Sequence, residues 1–162
     1  GPRFLSALPV RATFWGVQDA VLQHSGSAIL AGVIGGTAQT FVEVPFEIHK
    51  ICQIKGIGCN LTMALMVKGL HWHIARNVCT AVGAATGRYG TRDYSASAQA
   101  MGTGLCTALA AIISHPMDTL KTRSQGKSMS RGSLMTGAIP RALQCCLAMS
   151  IGAAALALGD NN

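Results

Sequence analysis

Three long stretches without a single Asp, Glu, Lys or Arg constrain this chain more than anything else in it: Ala20 to Val42, Tyr94 to Met117 and Ala142 to Gly159. Each approaches the ~20 residues a helix needs to cross hydrocarbon, and an uncharged run of that length reads as a membrane span. Two weaker runs accompany them. Asn77 to Gly87 is uncharged between Arg76 and Arg88, and Phe4 to Val21 is apolar apart from Arg11 and Asp19. Both are expected to line something polar, because intramembrane charges face a cavity or a bundle interior. A chain of 162 residues has room for about five such crossings and for no separate soluble domain.

Composition agrees. Charged residues make up only 12% of the chain, hydrophobic ones 49%, and the mean hydropathy is +0.36, which disfavours a water-soluble domain. Nineteen glycines against 5% aromatics suit helices that approach closely in lipid, where a soluble core would use larger side chains.

Thirteen Lys and Arg against six Asp and Glu give a formal charge of +7. Nucleic acid is excluded as the partner, because the basic residues gather in two loops and are not interleaved with aromatics. Pro45 to His73 carries Lys50, Lys55 and Lys68. Pro116 to Arg141 carries Lys121, Arg123, Lys127, Arg131 and Arg141, while the opposite connections hold Arg88 and Arg92. The two longer loops therefore belong in the positive-inside compartment, with the N-terminus on that side and the C-terminus on the other.

Other chemistry-bearing residues give little. The six cysteines contain no CxxC pair, so neither a disulfide framework nor a zinc ribbon is signalled. His71 and His73 flank Trp72, a spacing that points two imidazoles to different helix faces and argues against a metal site. Trp15 and Trp72, near span ends, read as interfacial anchors. Gly32, Gly35, Gly36, Gly102 and Gly104 read as points of close helix contact, and Cys145 and Cys146 as packing residues. No set of nucleophile, base and orienting group is present, so no enzyme, metal or cofactor is expected.

The loops open with the same phrase. Val44-Pro45-Phe46-Glu47-Ile48-His49-Lys50 and His115-Pro116-Met117-Asp118-Thr119-Leu120-Lys121 both read Pro, any, acid, two residues, Lys, and each closes a glycine-bearing span. The two copies stand about seventy residues apart, an internal repeat. Pro45 and Pro116 each remove a helix hydrogen bond and are expected to kink their spans. An acid and a Lys three apart share one helix face, so Glu47, Lys50, Asp118 and Lys121 could link neighbouring helices as a gate, for example Lys121 to Glu47.

These phrases resemble the mitochondrial carrier family, whose three repeats each contain an odd helix ending in PX[DE]XX[KR], a short matrix helix and an even helix. Arg123 matches the family's brace beneath the gate pair, and Cys52 stands at that place in the first copy. Lys68-Gly69 followed by Arg76, and Gly137-Ala138-Ile139-Pro140-Arg141, match the start of the even helices. Pro2-Arg3, Pro9, Phe14 and Asp19 fit the same even-helix pattern. The resemblance implies an all-α membrane protein, a carrier-like bundle of five transmembrane helices (family helices two to six) with short matrix helices. Residues 1–24 would be the second helix of an incomplete first repeat, and 25–95 and 96–162 complete repeats. It also implies a multi-pass place in the mitochondrial inner membrane, with cardiolipin as a partner on the matrix side.

Leu8-Pro9-Val10-Arg11-Ala12-Thr13-Phe14 resembles a phrase of the 2-oxodicarboxylate carrier branch. In that branch Arg76 and Asn77 would contact the substrate, with Ser6 and Gln144 at the equivalent places on the other even helices. Arg offers a planar fork matched to carboxylate, and Asn adds a neutral donor. Two alternatives stay open: an interfacial, snorkelling Arg76, and a contact level one turn on at Thr80-Ala81. The departures from the family pattern are the lack of the first helix and of a third gate motif, no acidic residue before Lys68-Gly69, shortened matrix loops, Cys52, Gln144 where an Arg is usual, and Asp19 and Asp93 without matched Lys partners. They favour a non-transporting structural subunit of a larger inner-membrane complex, such as a respiratory or ATP-synthase assembly. The alternative is an active exchanger of 2-oxodicarboxylates or related carboxylate anions.

Overall fold

A computed structural model describes residues 2–55, 67, 70–125, 135 and 137–159, with side chains described for 8–49, 53, 67, 70–117, 119–120, 135 and 137–157. Within these the chain is all-helical. Five helices follow one another: α1 (Pro2–Ser25), α2 (Ala28–Lys55), α3 (Leu70–Gly90), α4 (Ala96–Gln125) and α5 (Ala138–Gly159). Three are long and apolar enough to cross a membrane, over Ala28–His49, Ala96–Met117 and Ala138–Ala157. These belong to α2, α4 and α5 and support a transmembrane protein. The two weaker runs read from the sequence lie in α1 and α3. The expected short matrix helices fall largely in segments outside the described residues.

Local chemistry sets the joints. α1 stops at Ser25 because Gly26 turns with φ +63° and its amide bonds the Leu22 carbonyl (2.9 Å), a left-handed cap that glycine adopts without a Cβ clash. Ser27 then starts α2, its hydroxyl accepting from the Leu30 amide (3.3 Å). Gly137 likewise turns with positive φ, +88°, immediately before α5. Pro45 and Pro116 both sit inside helices that continue beyond them, so the backbone of both gate phrases is helical.

Each helix packs on the next in sequence. Large apolar side chains point outward in stripes of four-residue spacing, Met101, Leu105 and Leu109 on α4 and Ile139, Leu143, Leu147 and Ile151 on α5, all exposed. Most inward residues are small or polar: Ala31, Thr40, Ala81, Ala84, Thr103, Thr107, Ala111 and Ser114 are buried. Such an inverted surface suits lipid, where apolar side chains need no burial and helix association rests on close backbone approach. Glycines make that approach possible. A Cβ on Gly36 of α2 would lie 2.8 Å from the Asn77 carbonyl oxygen of α3, and one on Gly87 of α3 would lie 2.6 Å from the Gly102 carbonyl oxygen of α4.

The centre is closed by alternate helices. Phe14 of α1, Ala81 and Ala84 of α3 and Met149 of α5 form one buried cluster with Trp15 packed against it. Trp15 also lies over Gly152 of α5, where an added Cβ would be 2.9 Å from its ring. Gly152 leaves room for the indole, so Trp15 packs between α1 and α5.

Candidate functional site

α3 carries His73, Arg76 and Asn77, three and four residues apart and so on one face, and all three are buried. That face meets Thr40 and Glu43, likewise three apart, on α2. The close approach at Gly36 brings the two polar faces within hydrogen-bonding distance. Arg76 donates to Asn77 Oδ1 through Nε (2.9 Å) and Nη2 (2.7 Å), and Nη2 faces both Glu43 carboxylate oxygens at 3.3 Å. Asn77 Nδ2 donates to Glu43 Oε2 (2.8 Å) and to Thr40 Oγ1 (3.0 Å), while the Thr40 hydroxyl donates back to the Gly36 carbonyl (2.8 Å).

His73 completes the cluster. Its Nε2 lies 2.7 Å from Arg76 Nη2 and 3.3 Å from Glu43 Oε2. A guanidinium can only donate, so Nε2 accepts from it, and we assign the neutral ring its proton on Nδ1. The Arg76 cation and the Glu43 carboxylate thus offset one another, with the Asn77 amide bridging them and the His73 ring set beside the guanidinium.

A second ion pair sits toward the other end of α3. Arg88 pairs with Asp19 of α1, and its guanidinium carbon lies 5.9 Å from the Trp15 ring centroid. Arg76 and Arg88 are separated by about 18 Å along the helix at ~1.5 Å per residue. Between them Gln18 of α1 is buried and donates to the Ala81 carbonyl (3.1 Å), a side chain from one helix capping backbone on another. Asp19, expected to lack a matched Lys, therefore has an Arg partner. Among the described residues Asp93 pairs with its neighbour Arg92 on the surface.

The expected residues separate into groups. Arg76 and Asn77 come together and are buried, which sets aside the snorkelling alternative for Arg76. Thr80, at the alternative level one turn on, spends its hydroxyl on the Arg76 and Asn77 carbonyls of its own helix (3.1 and 3.0 Å). Gln144 is exposed on the outer face of α5, nearly opposite buried Ala142, and does not join them. Glu47 is half-buried on α2. Ser6, Lys50, Asp118, Lys121 and Arg123 lie on helices, with side chains outside the described residues. His71 is exposed where His73 is buried, and among the described residues no three His, Cys, Asp or Glu side chains are grouped to hold a metal.

Glu43, His73 and Thr40 are the participants that sequence reasoning missed. Their signal was present as polar residues at three-residue spacing, Thr40 with Glu43 and His73 with Arg76, a polar stripe in each of two otherwise apolar helices. No family model, curated protein or solved structure matches the chain.

Proposed function

We propose that this chain is a carrier-family protein of the mitochondrial inner membrane that serves as a non-transporting, structural subunit of a larger inner-membrane assembly, such as a respiratory or ATP-synthase complex. The family reading rests on the paired PX[DE]XX[KR] phrases at Pro45 and Pro116 and on the order of helix packing. One observation carries the structural reading: the Arg76 fork is committed to Asn77 and Glu43 of the same chain. A transport site must present its cation to an incoming anion and give it up again, whereas this one is neutralised internally. The buried contact of Phe14, Ala81, Ala84 and Met149 supports the same reading, because helices that must part to admit a substrate are packed together there. The outward stripes of large apolar side chains offer surface for lipid and for neighbouring subunits alike.

Exchange of 2-oxodicarboxylates is the alternative, and it requires Glu43 to release Arg76 in each cycle. Native electrophoresis of mild-detergent extracts, following a tagged copy of the chain, tests the structural role. Comigration with a large membrane complex, and loss of that complex when the chain is depleted, is the expected result. Migration solely at the size of a free carrier would refute it.

A further inference from the structure

The Glu43 carboxylate is held as a bound ligand would be held. It receives Asn77 Nδ2 at 2.8 Å, faces Arg76 Nη2 with both oxygens at 3.3 Å, and has Gln39 Nε2 at 3.5 Å one helical turn away. Every one of these donors would serve a diffusible carboxylate equally well. The groups that face it come from two helices, Gln39 from its own and His73, Arg76 and Asn77 from α3, so the donor set survives if the Glu43 side chain is removed. Its side chain is 21% exposed, while those of Arg76 and His73 are 7% and 3% exposed. The carboxylate thus occupies the mouth of a site whose cation lies deeper.

We propose that Glu43 is a tethered ligand that fills a carboxylate site built by Arg76 and Asn77, keeping the native chain closed to diffusible carboxylates. A tethered group acts at an effective concentration of order millimolar or higher, against which a free anion of ordinary affinity competes poorly. Truncation of Glu43 to Ala removes the carboxylate together with its methylene stem, and the opening left matches a small monocarboxylate, acetate or formate. The proposal rests on reading Arg76 and Asn77 as a carboxylate-contact pair. It concerns the isolated chain, so its failure leaves the comigration result untouched.

The experiment is chemical rescue. Detergent-solubilised wild type, Glu43→Ala and Glu43→Ala/Arg76→Met are melted in sodium acetate and in sodium chloride at equal pH and ionic strength. Glu43→Ala is expected to unfold below wild type in chloride and to gain about 3–6 °C at acetate near ten times its Kd, with wild type and the double variant unresponsive. An equal acetate response in all three proteins, or none in a folded Glu43→Ala, overturns the proposal. Should Glu43→Ala be recovered only when prepared in acetate, that is rescue. Should it fold in neither salt, the same substitution in a background stabilised by Gly16→Ala, where an added Cβ meets nothing within 4 Å, decides, because the carboxylate site is still vacated. An acetate-specific rise in its melting temperature supports the proposal, and indifference to acetate overturns it.

Discussion

The same substitution, Gly→Ala, is expected to have opposite signs at two positions of this bundle, and the difference can be worked from the structure. Gly16 lies on the exposed side of α1, and a Cβ there meets nothing within 4 Å. Gly16→Ala should therefore stabilise by about 0.5–1 kcal/mol through reduced backbone freedom alone. At Gly36 the added Cβ would lie 2.8 Å from the Asn77 oxygen and 2.8 Å from Val78 Cα, both backbone atoms that no rotamer change can move. That is about 0.7 Å short of the ~3.5 Å at which such contacts become favourable. α2 and α3 must part by a similar amount. Overpacking of this kind costs about 1–3 kcal/mol, and the parting also stretches the Asn77 bonds to Thr40 and Glu43, which are worth about 1 kcal/mol each. After the helix-propensity gain, Gly36→Ala should lose about 1–2 kcal/mol. The two variants should differ by about 1.5–3 kcal/mol, a separation of about 3–12 °C in melting temperature. Cys79, Cys106, Cys145 and Cys146 are free and half-buried, so a thiol-reactive fluorophore reports unfolding in detergent directly. Gly36→Ala melting at or above Gly16→Ala would refute the close approach of α2 and α3.

Two further perturbations probe the ion pairs. Arg76→Met leaves Glu43 without its cation and should cost about 3 kcal/mol, whereas Glu43→Leu/Arg76→Met, which removes both charges, should recover much of that loss; a double variant no more stable than Arg76→Met contradicts the pairing. Asp19→Asn should cost less, about 1 kcal/mol, because the pair with Arg88 is more open to solvent, and added salt should narrow its difference from wild type; a loss as large as that of Arg76→Met would place Asp19 in a more critical role than its surroundings indicate.

The spans were legible because charge is expensive in hydrocarbon, and the runs ending at Val42 and Met117 led to α2 and α4. The start of α2 was not read correctly from the same signal. The run from Ala20 passes through Ser25, Gly26 and Ser27 without meeting a charge, and only the turn chemistry of those residues marks where α1 ends. Arg76 and Asn77 stood out as a cation and an amide in an apolar helix. What they do there depends on Glu43, which lies on another helix and meets them only through the absence of a side chain at Gly36. Sequence spacing reveals faces within one helix; which two faces meet is decided by packing. Gln144 shows the converse, since a position matched by motif lies on the outer face of α5, where the stripe of Leu143, Leu147 and Ile151 also points.

The account turns on whether Arg76 is closed to substrate, and counter-exchange in liposomes measures that directly. Purified chain is reconstituted into vesicles loaded with oxoglutarate, and uptake of labelled external oxoglutarate is followed against protein-free vesicles. Uptake no faster than in protein-free vesicles, for wild type and Arg76→Ala alike, is the predicted result. Rapid exchange by wild type that Arg76→Ala abolishes would contradict the structural role and make the Arg76 and Asn77 site one of transport.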